Sequence, residues 1–295
     1  MVRVRLAEIM VSTVQTFQLA TINLSMIFEG NTIPFFVISA FVLGTIIGSF
    51  LNVVILRHNS GRTIGGRSMC FSCGKTLHWY ELVPVFSYVL QKGKCVKCKS
   101  KISVQYPVVE FLTGIIFALL AWKLSFLFLI SPLTFLTKIL FYGYLLSLLV
   151  VISVYDLRHG IIPDQFSYLF TTMTFLLLFF ETGNVILAHV PTFSQVIAGP
   201  LIALPFAFLW WVSKGKWMGF GDAKLALGMG FLLGVTGDVT ALMIAFWSGA
   251  LVSLFLLLLK RYRFTMKSEI PFAPFLVFAT CVTFIFNLDL IAYLS

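Results

Sequence analysis

Long apolar runs are the feature of this sequence that most constrains its fold. A helix needs about 20 mostly apolar residues to cross a bilayer, and runs of that kind recur along the 295-residue chain. Hydrophobic residues make up 59% of the chain and charged residues 11%, whereas about 25% of the residues of a soluble domain are charged. So few charges could not cover a water-facing surface, so the sequence predicts an all-α protein that crosses a membrane several times.

The apolar runs predict about eight spanning helices, of which the sixth is short. They cover residues 34–56, 107–130, 135–155, 161–180, 195–212, 222–235, 239–259 and 271–293. The chain then divides into an N-terminal segment with the first helix (1–56), a polar insert (57–106) and a seven-helix bundle (107–295). No cleavable signal peptide stands out, and we expect residues 1–31 to form an amphipathic segment at the membrane surface.

Basic residues gather on one side of this topology. The insert holds nine Lys and Arg against one acid, Glu81, and the loops on the same side hold seven more. The opposite loops hold none and fall near Ser131, at 182–194 and near Asp238. Cytoplasmic loops are rich in Lys and Arg, so the insert is predicted to be cytoplasmic, although Arg3 and Arg5 run against this. The net charge of +10 then reflects orientation and gives no reason to expect nucleic-acid binding.

Four cysteines in the insert form two C-x-x-C pairs, 21 residues apart: Cys70, Cys73, Cys95 and Cys98. This spacing is typical of a four-cysteine zinc site, and a metal would supply much of the folding energy of so small an insert. The zinc would be structural. A redox pair or free thiols are the alternative. Cys281, in the last span, is interpreted as a buried apolar residue.

Carboxylates in membrane spans are costly and suggest function. Asp289 falls near the outer end of the last span. The other four fall at the predicted cytoplasmic ends of their helices: Glu110, Asp156, Asp164 and Asp222. We therefore expect a cluster of acids at one edge of the bundle.

Two of these acids suit shared acid–base chemistry. Paired aspartates can share one proton and activate water for attack on a peptide bond, and Asp156 and Asp222 come from helices that could face each other. Gly219 and Gly221 have no side chains, so another backbone or a peptide could approach Asp222.

Other interpretations of the acids remain open. Asp164 could only cap a helix, and Glu110 could be a buried partner of a lysine or a backbone group. Asp156 and Asp222 could also belong to a proton relay in a transporter.

The ordered motifs resemble the bacterial type IV prepilin peptidases, also called leader peptidases, which are membrane aspartic proteases with a G-x-G-D signature. The resemblance runs from Gly48 to Leu233. Besides the two C-x-x-C pairs and Asp156, it rests on residues 48–52, 78–84, 92–95, 105–110, 162–164 and 219–225.

The resemblance implies a chemistry and a location. The family cleaves the basic leader of type IV prepilins and type II secretion pseudopilins, after a glycine, at the cytoplasmic face of the inner membrane. Members with the four-cysteine insert usually also methylate the new N-terminal amine with S-adenosylmethionine.

By position, the resemblance implies that Asp156 and Asp222 are the catalytic pair. It further implies that the four cysteines hold zinc and that Gly93 is tied to methylation as a cofactor-binding position. Lys224 belongs to the same signature as Gly219 and Gly221. From location alone, we expect Glu110 or Asp164 to contact the positive charges of the leader.

Three rival functions remain: a protease without methyltransferase activity, a proton-coupled transporter with a zinc ribbon, and a non-enzymatic scaffold of a secretion machine. A transporter predicts acids at mid-membrane and a repeat between its halves, and neither is visible. A scaffold would not need both Asp156 and Asp222. Membrane lipid is an expected partner, and the sequence leaves the oligomeric state open.

Overall fold

The structure, a computed structural model, describes residues 33–61, 63, 65–180, 189–258 and 270–290. The expected amphipathic segment with Arg3 and Arg5 lies outside these residues, as does the basic loop at 260–269.

The described residues are almost entirely helical. Two isolated β-bridges occur in the insert, and no strand forms in the described part of the chain. The helices are α1 (Ile33–Arg57), a short 3-10 helix (Trp79–Glu81), α2 (Phe86–Leu90), α3 (Gln105–Ile130), α4 (Pro132–His159), α5 (Asp164–Leu177), α6 (Phe193–Ser213), α7 (Phe220–Leu258) and α8 (Ala273–Phe286).

Five of these helices, α1, α3, α4, α6 and α7, are long and apolar enough to cross a membrane. The predicted all-α, multi-pass architecture is therefore confirmed. Helices α5 and α8 have 14 residues each, which gives a length of about 21 Å against a hydrocarbon core of about 30 Å. The count of eight spans stays a prediction.

Helix α7 covers both the expected sixth and the expected seventh span, and its backbone is broken between them. Gly234 has φ 71° and ψ 177° inside the 39-residue element, a conformation open to glycine because it has no Cβ. The expected loop near Asp238 is wrong, because Asp238 lies in the helix that follows this break and is fully buried. The chain changes direction at the glycine, so the polar residues after it can continue as helix.

Helix α4 lies at the centre of the bundle, where it packs against α3, α5 and α8. Of the residues in its most apolar segment, 67% are buried. Helices α6 and α7 pack against each other, and α7 also packs on α5 and α8. The core unites fully buried side chains of α4, α5, α7 and α8, among them Leu149, Phe170, Met229 and Leu276.

Helix α1 packs against α3 through small residues, as membrane helices commonly do. A Cβ added at Gly48 would lie 2.8 Å from the Cα of Glu110, closer than real atoms approach. This contact places the C-terminal half of α1 beside the start of α3, and the insert connects these two helices.

The insert consists of two knuckles with the same backbone pattern. The N–H of Cys70 donates to the carbonyl of Lys75, and the N–H of Cys95 donates to the carbonyl of Ser100, both at 2.9 Å. Each knuckle closes with one bridge, between Met69 and Thr76 in the first and Lys94 and Lys101 in the second. The pattern repeats with an offset of 25 residues and turns both cysteine pairs toward one point.

Candidate active site and metal centre

Asp156 and Asp222 approach each other at one edge of the bundle. Asp156 lies in the last turn of α4, which ends at Gly160, and Asp222 lies in the first turn of α7. Their exposed fractions are 5% and 8%, and their carboxylates are close enough for direct electrostatic repulsion. The structure thus brings together the two residues chosen from the sequence, and their catalytic role stays a prediction.

The start of α8 lies against Asp156. The backbone N–H of Ala273, the first residue of α8, is directed at the Asp156 carboxylate. The N-terminal end of a helix carries partial positive charge, so this contact holds the carboxylate in place. Sequence reasoning missed Ala273, because a backbone donor leaves no signal in its side chain.

Asp222 keeps one carboxylate oxygen without a hydrogen bond. The N–H groups of Asp222 itself and of Gly219 are directed at the carboxylate, and Oδ1 is buried with no partner among the described residues. A buried oxygen with a free lone pair can accept a proton or bind a water. The pair therefore has the unused hydrogen-bonding capacity that acid–base chemistry needs.

The two glycines before Asp222 have different surroundings. A Cβ added at Gly221 would lie 2.7 Å from the Cβ of Ile162, so the start of α7 packs directly on the segment between α4 and α5. At Gly219, the nearest atom to an added Cβ would be Oδ2 of Asp222, 3.8 Å away. The expected open approach to Asp222 is therefore present at Gly219, whereas Ile162 fills the space at Gly221.

Lys224 of α7 connects this helix to α5 at the same edge of the bundle. Its Nζ lies 2.7 Å from Oδ1 of Asp164 and 4.9 Å from the centre of the Tyr168 ring. Asp164 stands in the first turn of α5, whose N-cap is Pro163, and no side chain caps this helix. Asp164 thus pairs with a lysine rather than capping its helix, and the ion pair joins α5 to α7.

Glu110 connects the insert to the bundle. Its Oε2 accepts a hydrogen bond from the backbone N–H of Val85 at 2.7 Å, and the Ser49 hydroxyl of α1 also donates to it. The side chain is buried. This geometry matches the alternative in which Glu110 is a buried partner of a backbone group.

A second buried polar residue, Asn52, lies close to this connection. Its side-chain nitrogen donates to the carbonyl of Tyr106 at 3.2 Å, and its oxygen accepts from the Gln105 side chain at 3.4 Å. Asn52 thereby joins the end of α1 to the start of α3. In the sequence, the signal for this role would have been a single asparagine near the end of an apolar run.

The four cysteine thiols of the insert converge. All four sulfur atoms lie within 4.8 Å of one another, and Sγ of Cys70 lies 3.8 Å from Sγ of Cys98. A Zn–S bond of about 2.3 Å in a tetrahedron places neighbouring sulfurs about 3.8 Å apart. The donor set and its spacing therefore fit a tetrahedral metal such as zinc.

The ionisation of these thiols also fits a cation. The backbone N–H groups of Cys73 and Ser72 lower the pKa of Cys70 to about 6, and the hydroxyl of Ser100 lowers the pKa of Cys98. The N–H of Lys75 favours the Cys73 thiolate, but burial and the Cys98 and Cys70 sulfurs outweigh it and raise the pKa of Cys73 to about 11. A bound divalent cation would relieve this repulsion and allow four thiolates to coexist.

Gly93 lies in the turn that leads into the second knuckle. Its φ is +65°, its N–H donates to the carbonyl of Tyr88, and its carbonyl accepts from Ile102. A Cβ added there would lie 2.9 Å from Oη of Tyr88. The backbone conformation and the nearby Tyr88 therefore favour glycine at this position on structural grounds. The expected role of Gly93 in methylation stays a prediction.

Comparison with known proteins identifies two family models along the chain. The model of the Bacterial Peptidase A24 N-terminal domain matches residues 42–124, and that of the Type IV leader peptidase family matches residues 143–254. Together they cover more than half of the chain. No solved structure matches the chain.

Curated relatives carry the name "Prepilin leader peptidase/N-methyltransferase". The relative from Myxococcus xanthus is 32% identical over 231 residues, which are 76% of this chain and 64% of that protein. The relative from Xanthomonas campestris is 30% identical over 84% of this chain and 91% of its own length. The relative from Bacillus subtilis is 28% identical over 86% and 95%. These matches confirm the resemblance, and the chain belongs to the type IV leader peptidase family.

Proposed function

We propose that the chain is a membrane aspartic endopeptidase that removes the basic leader of type IV prepilins and type II secretion pseudopilins. The observation that carries the proposal is the approach of two buried carboxylates, Asp156 and Asp222, from different helices at one edge of a membrane bundle. Membership of the leader peptidase family supports the substrate class.

The mechanism uses one proton shared between the two aspartates. Ionisation of one carboxylate disfavours ionisation of a neighbouring one, so in this mechanism one of the pair keeps its proton. The ionised carboxylate takes a proton from a water, and the water oxygen attacks the carbonyl carbon of the scissile bond. The protonated carboxyl donates to the carbonyl oxygen. Collapse of the tetrahedral intermediate breaks the C–N bond, and the leaving nitrogen receives a proton from the pair.

Backbone N–H donors hold the two carboxylates in position for these proton transfers. The N–H groups of Ala273 and Gly219 fix one side of each carboxylate, while Oδ1 of Asp222 stays free for the proton or the water. The open space at Gly219 gives an extended peptide a path to Asp222. Asp164 is 61% exposed at its side chain although it is paired with Lys224, so it is the better placed of the two supporting acids to meet a basic leader.

The position of the two aspartates at one edge of the bundle indicates where cleavage takes place. A prepilin has a basic leader followed by an apolar helix, which can lie in the bilayer beside the bundle and place the scissile bond at the boundary. The distribution of Lys and Arg supports a cytoplasmic insert and a cytoplasmic active-site edge in the bacterial inner membrane.

Cleavage creates the substrate of a second reaction. We assign to the chain N-methylation of the new N-terminal amine with S-adenosylmethionine, which the names of the relatives support, and we retain Gly93 as the candidate position tied to it. Zinc held by the four cysteines would be structural and would brace the insert, since carboxylates activate the water.

The test uses the full chain in detergent with a prepilin and S-adenosylmethionine. Wild type, Asp156→Ala and Asp222→Ala are compared by mass spectrometry, which detects the cleaved product and an added methyl group. Each substitution should reduce cleavage at least about 100-fold, because it removes a proton-transfer group. Asp289→Asn, at the opposite end of the bundle, is the matched control and should cleave normally.

The outcomes separate the candidates. Cleavage by either alanine variant at the wild-type rate would reject the pair. Cleavage without a methyl signal would leave the protease alone as the function.

A further inference from the structure

The insert exposes an apolar face that neither the metal site nor the proposed active site uses. Phe86, Val89 and Leu90 of α2 are 71%, 65% and 80% exposed, and positions i, i+3 and i+4 share one side of a helix. Trp79 of the neighbouring 3-10 helix is 80% exposed. A small domain surrounded by water would rarely leave so many large apolar side chains uncovered.

A hydrogen bond fixes the level of this face relative to the membrane. Val85 directly precedes α2, and its N–H donates to Glu110 of the membrane-spanning helix α3 at 2.7 Å. Glu110 stands five residues beyond the start of α3, which is about 7.5 Å along the helix axis. The start of α2 is therefore level with the first two turns of a spanning helix.

The same turns of α3 carry exposed apolar side chains. Val108, Phe111 and Leu112 are 46%, 47% and 50% exposed, and they stand within four residues of Glu110. The apolar side chains of α2 therefore lie at a depth where the bundle itself exposes apolar surface. The first turns of a spanning helix are expected near the boundary between headgroups and acyl chains, where amphipathic segments bury their apolar faces.

The charge of the insert suits an anionic surface. Five exposed lysines follow α2 within 11 residues: Lys92, Lys94, Lys97, Lys99 and Lys101. The one acid of the insert, Glu81, is buried and already paired with Lys75. Clusters of lysines beside a spanning helix attract anionic lipid headgroups.

We propose that the 3-10 helix and α2 form an interfacial anchor in which Trp79, Phe86, Val89 and Leu90 insert into the lipid boundary while the lysines contact anionic headgroups. The occupant of this face is lipid. Because Glu110 holds the start of α2 at the bundle and lipid holds its exposed face, the anchor fixes the orientation of the metal-binding knuckles. The proposal does not depend on the proposed function.

The first test places a photoreactive benzophenone amino acid at position 86 or 90 of the full chain in nanodiscs that contain anionic lipid. The same amino acid in place of Ser72, an exposed residue of the first knuckle, is the control. Irradiation should give several-fold more lipid adduct at positions 86 and 90 than at 72. Equal labelling at all three positions would overturn the proposal. If an added prepilin replaced lipid as the molecule cross-linked at positions 86 and 90, the proposal would be overturned too, because the face would then bind substrate.

The second test uses native tryptophans and needs no perturbation of α2. Brominated lipids quench tryptophans at the depth of their bromine atoms, and the difference between wild type and Trp79→Phe isolates Trp79. Trp122→Phe removes a half-exposed tryptophan of the spanning helix α3 and is the positive control. Both substitutions should remove part of the quenchable emission. An unchanged quenchable fraction in Trp79→Phe would overturn the proposal. Neither readout involves cleavage, so failure of the anchor and failure of the peptidase assignment are distinguishable.

Discussion

The insert and the helical bundle reach a stable fold by different means. Between residues 65 and 104, only three residues are buried: Glu81, Gly93 and Cys95. Helix α4 alone buries 14 residues. The insert therefore lacks a core of its own, and we expect a metal held by the four cysteines, together with the ties of the insert to the membrane region, to supply what packing supplies in the bundle.

The two candidate sites differ in the same way. Each knuckle closes within eight residues, and its hydrogen bonds are local. The carboxylate pair joins positions 156 and 222, whose helices α4 and α7 are brought together by α5 and α8, each of which packs on both. A metal site of local motifs can thus be inferred from spacing, whereas a catalytic pair of distant residues depends on the whole bundle.

Removal of the metal should produce the largest effect and confine it to the insert. In Cys70→Ser combined with Cys98→Ser, bound metal should fall to near zero, because two of four ligands are lost. A structural zinc contributes about 10 kcal/mol or more, so the insert should become sensitive to proteases while the bundle keeps its helical circular dichroism. Metal analysis and limited proteolysis measure this, with Cys281→Ala as the control that keeps its metal. A metal-free insert that resists proteolysis as wild type does would contradict the contrast.

Glu110 links the two regions, and its removal should separate them. Glu110→Ala leaves the N–H of Val85 without its partner, at a cost of about 1–3 kcal/mol, while the metal stays bound. Hydrogen exchange at residues 85–90 should become faster by about 10- to 100-fold, with the slow exchange of α4 unchanged. Glu110→Gln keeps an acceptor oxygen and should have a smaller effect. Identical exchange in the two variants would show that this hydrogen bond does not hold α2.

The 3-10 helix should respond to pH through Glu81. The N–H of His78 and then Lys75 lower the pKa of Glu81 below its ordinary value, so the folded state favours the ionised form. Its contribution is fully present above the ordinary glutamate pKa of about 4.3 and is lost as pH falls through the lower folded value. Wild type should therefore protect residues 78–82 from exchange better than Glu81→Gln at neutral pH, and the advantage should vanish in acid. An advantage that persisted unchanged in strong acid would exclude this origin.

The ion pair of Lys224 and Asp164 should have the smallest effect. The Asp164 side chain is 61% exposed, and pairs open to solvent contribute about 1 kcal/mol or less. A double-mutant cycle of Lys224→Gln and Asp164→Asn, read by chemical unfolding, should give a coupling free energy in that range. A coupling of several kcal/mol would mean that the pair is shielded from water and acts as part of the core.

Several features were predictable because they depend on local composition. Apolar runs predicted the long helices within a few residues, and the C-x-x-C spacing predicted the convergence of four thiols. The break in α7 was misplaced, because hydropathy falls at residues 236–238 while the backbone changes direction at Gly234. Hydropathy measures the solvent preference of side chains and carries no information on a single backbone angle.

Roles that depend on neighbours could not be assigned in the same way. The sequence left Asp164 open between a helix cap and a contact with substrate, and the structure pairs it with Lys224, 60 residues away. Glu110 was open between structural and substrate roles, and its partner is a backbone N–H that no side chain announces.

By itself, the sequence determined that the chain is a helical membrane protein and that four cysteines of the insert can share a metal, and it predicted that acids gather at one edge. These properties follow from solvent preference and from ligand spacing along the chain, which are local. Only the tertiary structure decided that Asp156 and Asp222 approach each other and that backbone N–H groups of Ala273 and Gly219 hold them. It also decided that α2 lies level with the first turns of α3. These facts depend on how helices distant in sequence pack, because only packing brings a backbone donor or a second carboxylate within hydrogen-bonding or Coulombic range.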